Sequence, residues 1–424
     1  MYNIDIIVLI TGLCLIDGLR NGLMRAVVFL VENGPGILFF LFKNMFLLPW
    51  HLKALYEAII NYFTSPIFTK RAKKFKNLKR GYYSFILITI LYVGSFLLPL
   101  FINNQAYIVK YEGTTYYPIM YELPIMKSLP FYPKKTYYSN EFGLDDSGPV
   151  NFRELQKVFE KENKGNYVLM PVYPYSPIES TTIMSEYPGK NPPHPPDSVH
   201  IFGTDDRGRD VFARLAYGFN ISMTFALVVC FFSYLIGVSV GGYLGYFGGV
   251  FDIIVQRFVE IWSALPFLYA IMIVASIRTE VGFLELTFLL AIFQWMGMTF
   301  YIRGEFLREK AKDYVSAAIS IGVKDQTIIF RHILPNALTP VISFLPFAIV
   351  GNITALVSLD FLGFGLPAPT PSWGELMSQG MSQLRSPWLV FAPISALFVT
   401  LMLVSFIGEA VREAFDPKQY SRLR

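Results

Sequence analysis

Hydrophobic residues along this chain come in long unbroken runs, not at the 3.6- or 2-residue spacing of a half-buried helix or strand. Six runs carry no charged residue: Tyr82 to Ile102, Leu215 to Phe251, Ile261 to Ile277, Leu286 to Ile302, Ala337 to Leu359 and Pro387 to Gly408. Each reaches or approaches the roughly 20 residues that a helix needs to cross a bilayer. The second, at 37 residues, exceeds one crossing, and its membrane part is placed at Phe219 to Gly242. The third extends backward past Arg257 and Glu260, and the fourth past Glu285. The pattern predicts an all-α polytopic membrane protein with six transmembrane helices.

Composition narrows this further. Only 16% of residues are charged, against roughly 25% in soluble domains, which excludes a soluble multidomain enzyme and a disordered chain. Cys14 and Cys230 both sit in apolar runs and read as buried thiols, and His51, His194, His200 and His332 are too scattered to form a metal site.

Charge placement sets the orientation, because lysine and arginine in short flanking segments stay cytoplasmic. Lys70, Arg71, Lys73, Lys74, Lys76, Lys79 and Arg80 precede the first run with no acid among them. Six crossings from there put the segment with Arg308, Lys310, Lys312 and Lys324 inside, and the tail with Arg412, Lys418, Arg422 and Arg424 as well. Both termini are expected in the cytoplasm.

Five segments follow: an N-terminal extension, 1–69; a basic segment and first helix, 70–102; an extracytoplasmic insert, 103–201; a five-helix core, 202–408, with a cytoplasmic loop at 303–336; and a tail, 409–424. The insert holds 13 of the 27 prolines and 12 of the 26 tyrosines, which predicts short strands and extended segments packed on the membrane rather than helices. In the extension, Glu32-Asn33-Gly34-Pro35-Gly36 interrupts the apolar stretch Ala26 to Leu48. A charge there costs about 2.5–3.5 kcal/mol on insertion scales, so a re-entrant or interfacial helical hairpin turning at Asn33 to Gly36 is expected. Translation from Met24 or Met45 is the alternative to this extension.

No phosphate-cradling Gly-x4-Gly-Lys-Ser/Thr loop, metal-ligand pair, paired carboxylate or nucleophile with its base occurs. The chain is expected to be no enzyme and to bind no cofactor or nucleic acid. In the cytoplasmic loop, Tyr314 to Ile321 predicts a short surface helix whose Ala317 and Ala318 let another protein approach. Gly322 can take the left-handed conformation that ends it. Val323 to His332 predicts a second helix, and Pro335 fits the first turn of the next span.

This spacing, Ser316-Ala317-Ala318, then Gly322, then His332-x-Leu334-Pro335, resembles the coupling loop of ABC importer permeases. Ser316 and His332 depart from that family's glutamate and isoleucine. FGTDDRGRDVFARLAYG (Phe202 to Gly218), FLGFGLPAPTPSWGELMSQG (Phe361 to Gly380) and GEAVREAFDP (Gly408 to Pro417) are similar to the second permease subunit of dipeptide and oligopeptide importers. VKYEGTTYYPI (Val109 to Ile119) and NPPHPPDSVHIFGTDD (Asn191 to Asp206) are similar to permeases of the microcin C and oligopeptide type. The likeness runs from about Lys73 to Pro417.

The resemblance implies a passive half of an import pathway in the bacterial inner membrane. It implies as partners a second homologous permease, two ATPase subunits or one fused ATPase that carry ATP and magnesium, and an extracytoplasmic binding protein. Peptide is the expected solute, with nickel the alternative. A secondary transporter or channel would place ionisable groups at mid-membrane, and the six runs have almost none.

By charge and spacing, Gly203, Thr204, Asp205, Arg209, Asp210 and Arg214 predict a helical elbow pinned by exposed ion pairs at the outer interface. Gly363, Gly365, Pro367, Pro371 and Trp373 mark irregular backbone after the fifth run, a candidate outer gate or a packed connector.

Overall fold

The computed structural model describes residues 64–121, 136–180, 191–277 and 281–415, together with Ile60 and Tyr187. The expected hairpin at Asn33 to Gly36, Cys14, His51 and the tail from 416 onward lie outside the described residues.

Helix α1, Pro66–Asn77, begins where the Ser65 side chain accepts a hydrogen bond from the Phe68 amide at 3.1 Å and Pro66 takes the first turn. It crosses the expected boundary between 69 and 70. Lys74 Nζ donates to the Glu413 carbonyl at 2.7 Å and Arg71 lies over the Phe415 ring, so this basic helix is fastened to the end of the last helix. Helix α2, Lys79–Ser95, is shorter than the run to Ile102, because Pro99 cannot continue it and opens a separate turn, Leu98–Phe101.

The insert is built on strands β1, Ile108–Tyr111, and β2, Thr114–Tyr116, helix α3, Phe152–Glu162, and strand β3, Tyr167–Leu169. The sheet is antiparallel in the order β2-β1-β3, with Val109 opposite both Tyr116 and Val168. Helix α3 corrects the expectation of an insert without helices. Asn151 caps it, and Phe152, Leu155 and Phe159 form one apolar face that packs on Val109, Val168 and Phe142. An Ile102–Tyr173 bridge and a hydrogen bond from Tyr217 Oη to the Ile102 carbonyl tie the insert to the bundle.

Among the described residues, the remaining helices of eight residues or more are α4, Val211–Phe247; α5, Gly249–Ser263; α6, Phe267–Ile277; α7, Phe283–Lys310; α8, Asp313–Ser320; α9, Thr339–Phe361; α10, Trp373–Ser382; and α11, Trp388–Phe415. Helices α4, α7, α9 and α11 are long and apolar enough to cross a membrane, and α5 with α6 makes a fifth if the bent pair counts as one. The uninterrupted third span expected at Ile261 to Ile277 is not formed. The chain bends by 71° between α5 and α6, where Pro266 lacks an amide hydrogen and disfavours helix at Leu265.

Helices α4 and α7 pack along a glycine seam. A Cβ built on Gly237, Gly241 or Gly245 would come within 2.6 Å of the carbonyl oxygen of Trp295, Thr299 or Arg303. Small residues four apart let two backbones touch, the usual close contact between helices in lipid.

Candidate functional site

Three sequence-predicted clusters occupy distinct places. At the end of α4 away from the insert, α8 forms the first. Lys310 Nζ donates to the Tyr246 carbonyl and places the start of this loop beside the end of α4. Gly322, at φ 78°, ends α8, and the Val323 amide closes back on the Ala318 carbonyl at 3.1 Å.

The single helix expected at Val323 to His332 is replaced by a turn, Asp325–Thr327, and a π-helical stretch, Ile328–Ile333. Pro335 accounts for the widened stretch: it cannot donate to the Arg331 carbonyl, and its ring crowds that group. Pro335 itself sits in the first turn of a short piece, Leu334–Ala337, ahead of α9.

Ala317 is exposed, with Ser316 and Ile321, whereas Ala318 is buried. The expectation that both alanines face outward is corrected. Ala318 and Val315 turn inward onto Ile328, Ile333 and Leu334, and that core continues to Phe306 and Tyr246. Ile319 and Ile321, 48% and 80% exposed, extend the outward face and were not singled out by the sequence.

The loop is further held by Tyr314, which the sequence placed in it, and by Glu309, Asn336 and Asp325, which sequence reasoning missed. Buried Glu309 accepts from Lys312 Nζ at 2.7 Å and from Tyr314 Oη at 2.8 Å. Burial, and then the Glu309 carboxylate, hold the Tyr314 hydroxyl above its ordinary range, so it remains a donor. Asn336 Nδ2 reaches Tyr314 Oη at 3.3 Å and the His332 carbonyl at 3.0 Å. Asp325 accepts from Tyr246 Oη at 2.6 Å.

The second cluster precedes α4. The helical elbow with exposed pairs is not what forms: 203–210 is a tight non-helical turn whose charges are buried except for half-buried Asp206 and exposed Arg207. Asp205 and Arg214 are 0% exposed and Arg209 is 3% exposed. Asp205 accepts from the Arg207 and Arg209 amides at 3.0 and 2.8 Å and from Arg209 Nε at 2.7 Å. Arg209 and Arg214 both donate to Glu375 of α10, and Arg214 Nη1 to the Pro177 carbonyl at 3.0 Å. Burial alone would pull the Arg209 guanidinium down, but the Asp205 and Glu375 carboxylates outweigh it.

Asp210 caps α4 by accepting from the Ala213 amide at 2.7 Å, and also meets Tyr173 Oη at 2.6 Å and His200 Nδ1 at 2.7 Å. Thr204 Oγ1 accepts from the His194 amide at 2.8 Å. Gly203, at φ 71°, leaves no room for a side chain, since a Cβ would lie 2.5 Å from the His194 carbonyl oxygen.

The third cluster joins α9 to α10. Gly363, at φ 81°, turns the chain out of α9, and Asp360 accepts from the Leu366 amide at 2.8 Å and Ser372 Oγ at 2.5 Å. Gly365 lies against Asp360, where a Cβ would stand 1.8 Å from Oδ1. Trp373 is 1% exposed, donates from Nε1 to the Leu215 carbonyl at 3.0 Å and fills the space above Gly218. Pro371 is buried beside it and Pro367 half-buried. This stretch wedges α10 against α4. Glu375, two residues past Trp373, joins the second and third clusters into one.

A family model described as the binding-protein-dependent transport system inner membrane component matches residues 233–419. The chain is similar to the peptidoglycan transport system permease protein YejE of Agrobacterium fabrum, 38% identical over 84% of this chain and 95% of that protein. It is 37% identical to the inner membrane ABC transporter permease protein YejE of Escherichia coli, over 84% of this chain and 98% of that one. The oligopeptide transport system permease protein OppC of Haemophilus influenzae is 39% identical over 52% of this chain and 71% of its own length.

Proposed function

The chain belongs to the family of binding-protein-dependent transport system inner membrane components, and from that premise we propose that it carries peptides, free or attached to cell-wall fragments, across the membrane. It is a multi-pass, non-catalytic permease subunit of an ABC transporter. The solute class is inferred from relatives named for peptidoglycan and oligopeptide transport.

In this reading a second, homologous permease completes the pathway as a heterodimer. Two ATPase subunits, or one fused ATPase, bind ATP and magnesium, and an extracytoplasmic binding protein delivers the solute. The six crossings are α2, α4, the bent pair α5–α6, α7, α9 and α11. The insert faces outward. Helix α1 meets both Phe415 and Thr339, so the basic segment, the coupling loop and the C-terminal end share one side, which the positive-inside rule makes cytoplasmic.

The observation that carries the proposal is α8. Its inner face is locked into the core through Val315 and Ala318, while Ser316, Ala317, Ile319 and Ile321 stand free at its surface. A short helix mounted this rigidly can pass a push from a docked ATPase into α7 and α9 instead of absorbing it.

The test is made in the assembled transporter. Ala317→Cys should crosslink to the ATPase. Gly322→Val, forced into a conformation at φ 78° that β-branched residues avoid, should abolish uptake while the protein still inserts. Normal uptake by the valine variant, together with no crosslink, would overturn the assignment.

A further inference from the structure

Helices α4, α7 and α9 line a half-open cavity of about 200 Å³ that the clusters above leave unexplained. It exceeds the roughly 150 Å³ void that accepts benzene in an engineered core. Its walls come from near the middle of each helix, including Ser233, Gln294, Gly297 and Asn352, with Met298 and Phe344 as apolar lining. No carboxylate, lysine or arginine lines it.

Two of the lining groups are short of partners. Ser233 is 2% and Asn352 1% exposed, and among the described residues neither Ser233 Oγ nor Asn352 Oδ1 has a hydrogen bond. Asn352 Nδ2 donates to the Ala226 carbonyl at 3.3 Å and lies 3.2 Å from Cys230 Sγ, which turns Oδ1 away from those neighbours. A buried hydroxyl or amide oxygen left unbonded costs about 1–3 kcal/mol. Native chains retain such groups where something else satisfies them. A Cβ on Gly297 would meet nothing within 4 Å, so this residue keeps the space open. Tyr301 and Phe347, 52% and 37% exposed, rim the cavity and give it a mouth on the α7–α9 side.

We propose that this cavity is a mid-membrane way station for an uncharged secondary amide of the solute in transit, a deepening that rests on the transport reading above. An amide N–H matches Asn352 Oδ1, an amide C=O matches the Ser233 hydroxyl, and Gln294 can serve either. Charged chain ends would be stripped of water with no counter-charge in the lining, so the site takes an internal peptide bond and rejects termini. That selects for peptide linkage and leaves side-chain identity open, because the remaining contacts are apolar. The amide could come from a plain peptide or from the stem of a peptidoglycan fragment.

The experiment uses the complete transporter in proteoliposomes, with tetra-alanine and a disaccharide-tetrapeptide as the two probes. Gly297→Cys is placed in a Cys14→Ala, Cys230→Ala background and alkylated with a small maleimide. Separately, Ser233→Ala and Asn352→Leu are compared with wild type at saturating binding protein. Saturable protection of the Gly297→Cys thiol by a transported probe is expected. Import by either variant should fall about tenfold, the equivalent of one hydrogen bond to an otherwise dry group. ATP turnover stimulated by the loaded binding protein should hold, which a merely misfolded variant would not allow.

Protection by tetra-alanine identifies plain peptide as the source, and protection by the disaccharide-tetrapeptide alone identifies the cell-wall fragment. If wild type imports a probe, yet no probe slows alkylation or import by both variants stays within about twofold of wild type, the cavity holds only water and the proposal fails. If wild type imports neither probe, the transport reading itself is what fails, and this site falls with it.

Discussion

Asp206 carries the least settled charge in the elbow. Its Oδ1 has no hydrogen bond among the described residues, while Asp205 beside it satisfies both oxygens. Burial, and then the Asp205 charge, raise the Asp206 pKa. The folded state therefore holds this proton more tightly than the unfolded chain. Its contribution is complete below the unfolded value, about 3.9, and is lost as pH rises through the higher folded value. Asp206→Asn removes that loss, so in detergent it should melt above wild type at neutral pH, with the gap closing toward about pH 4. A gap that widens on acidification would contradict this. The charges of Phe202 to Gly218 were plain in the sequence, but the burial of Asp205, Arg209, Asp210 and Arg214 was not. It depends on Glu375, which lies 161 residues beyond Arg214, a separation that no local pattern reaches. Ala318 shows the same limit: two adjacent alanines look alike in sequence, and only packing against Ile328 and Ile333 turns one inward.

At the scale of elements, the α4–α7 seam carries more of the bundle than its plain glycines suggest. Gly241→Leu would drive a side chain into the Thr299 carbonyl and the Arg303 amide, at 2.6 and 3.1 Å from the first added carbon alone. Backbone cannot yield as a side-chain tip can, so the variant should lose most of its membrane abundance on immunoblotting. Gly304→Ala and Gly351→Ala, with nothing within 4 Å, should accumulate normally. Equal abundance of all three would refute the seam. Charge-free runs revealed where these helices lie because lipid tolerates little else. They could not reveal where a run breaks: Pro266 was visible, yet a proline in a membrane helix is often accommodated, as Pro346 is inside α9. The insert helix α3 was hidden for the opposite reason, since surrounding prolines and tyrosines masked an 11-residue amphipathic stretch.

Across the whole molecule, two polar anchor points sit at opposite ends of α4: the Asp205–Arg209–Arg214–Glu375 cluster at its start and the Tyr246–Asp325 contact at its finish. On the coupling route proposed above, a push received at α8 would reach α4 partly through Tyr246. Tyr246→Phe removes one hydrogen bond to a carboxylate, worth about 1.5–3 kcal/mol, and leaves the ring in place. Reconstituted transporter carrying it should hydrolyse ATP at the normal rate but import severalfold less solute per ATP. An unchanged ratio would mean that the linkage runs elsewhere. The fastening of α1 onto α11, by Lys74 to the Glu413 carbonyl and Arg71 over Phe415, has a mechanical corollary. Helices α1 and α11 thus form a clasp between parts of the chain more than 300 residues apart. Tension applied near either terminus would load the clasp first and spare the glycine seam.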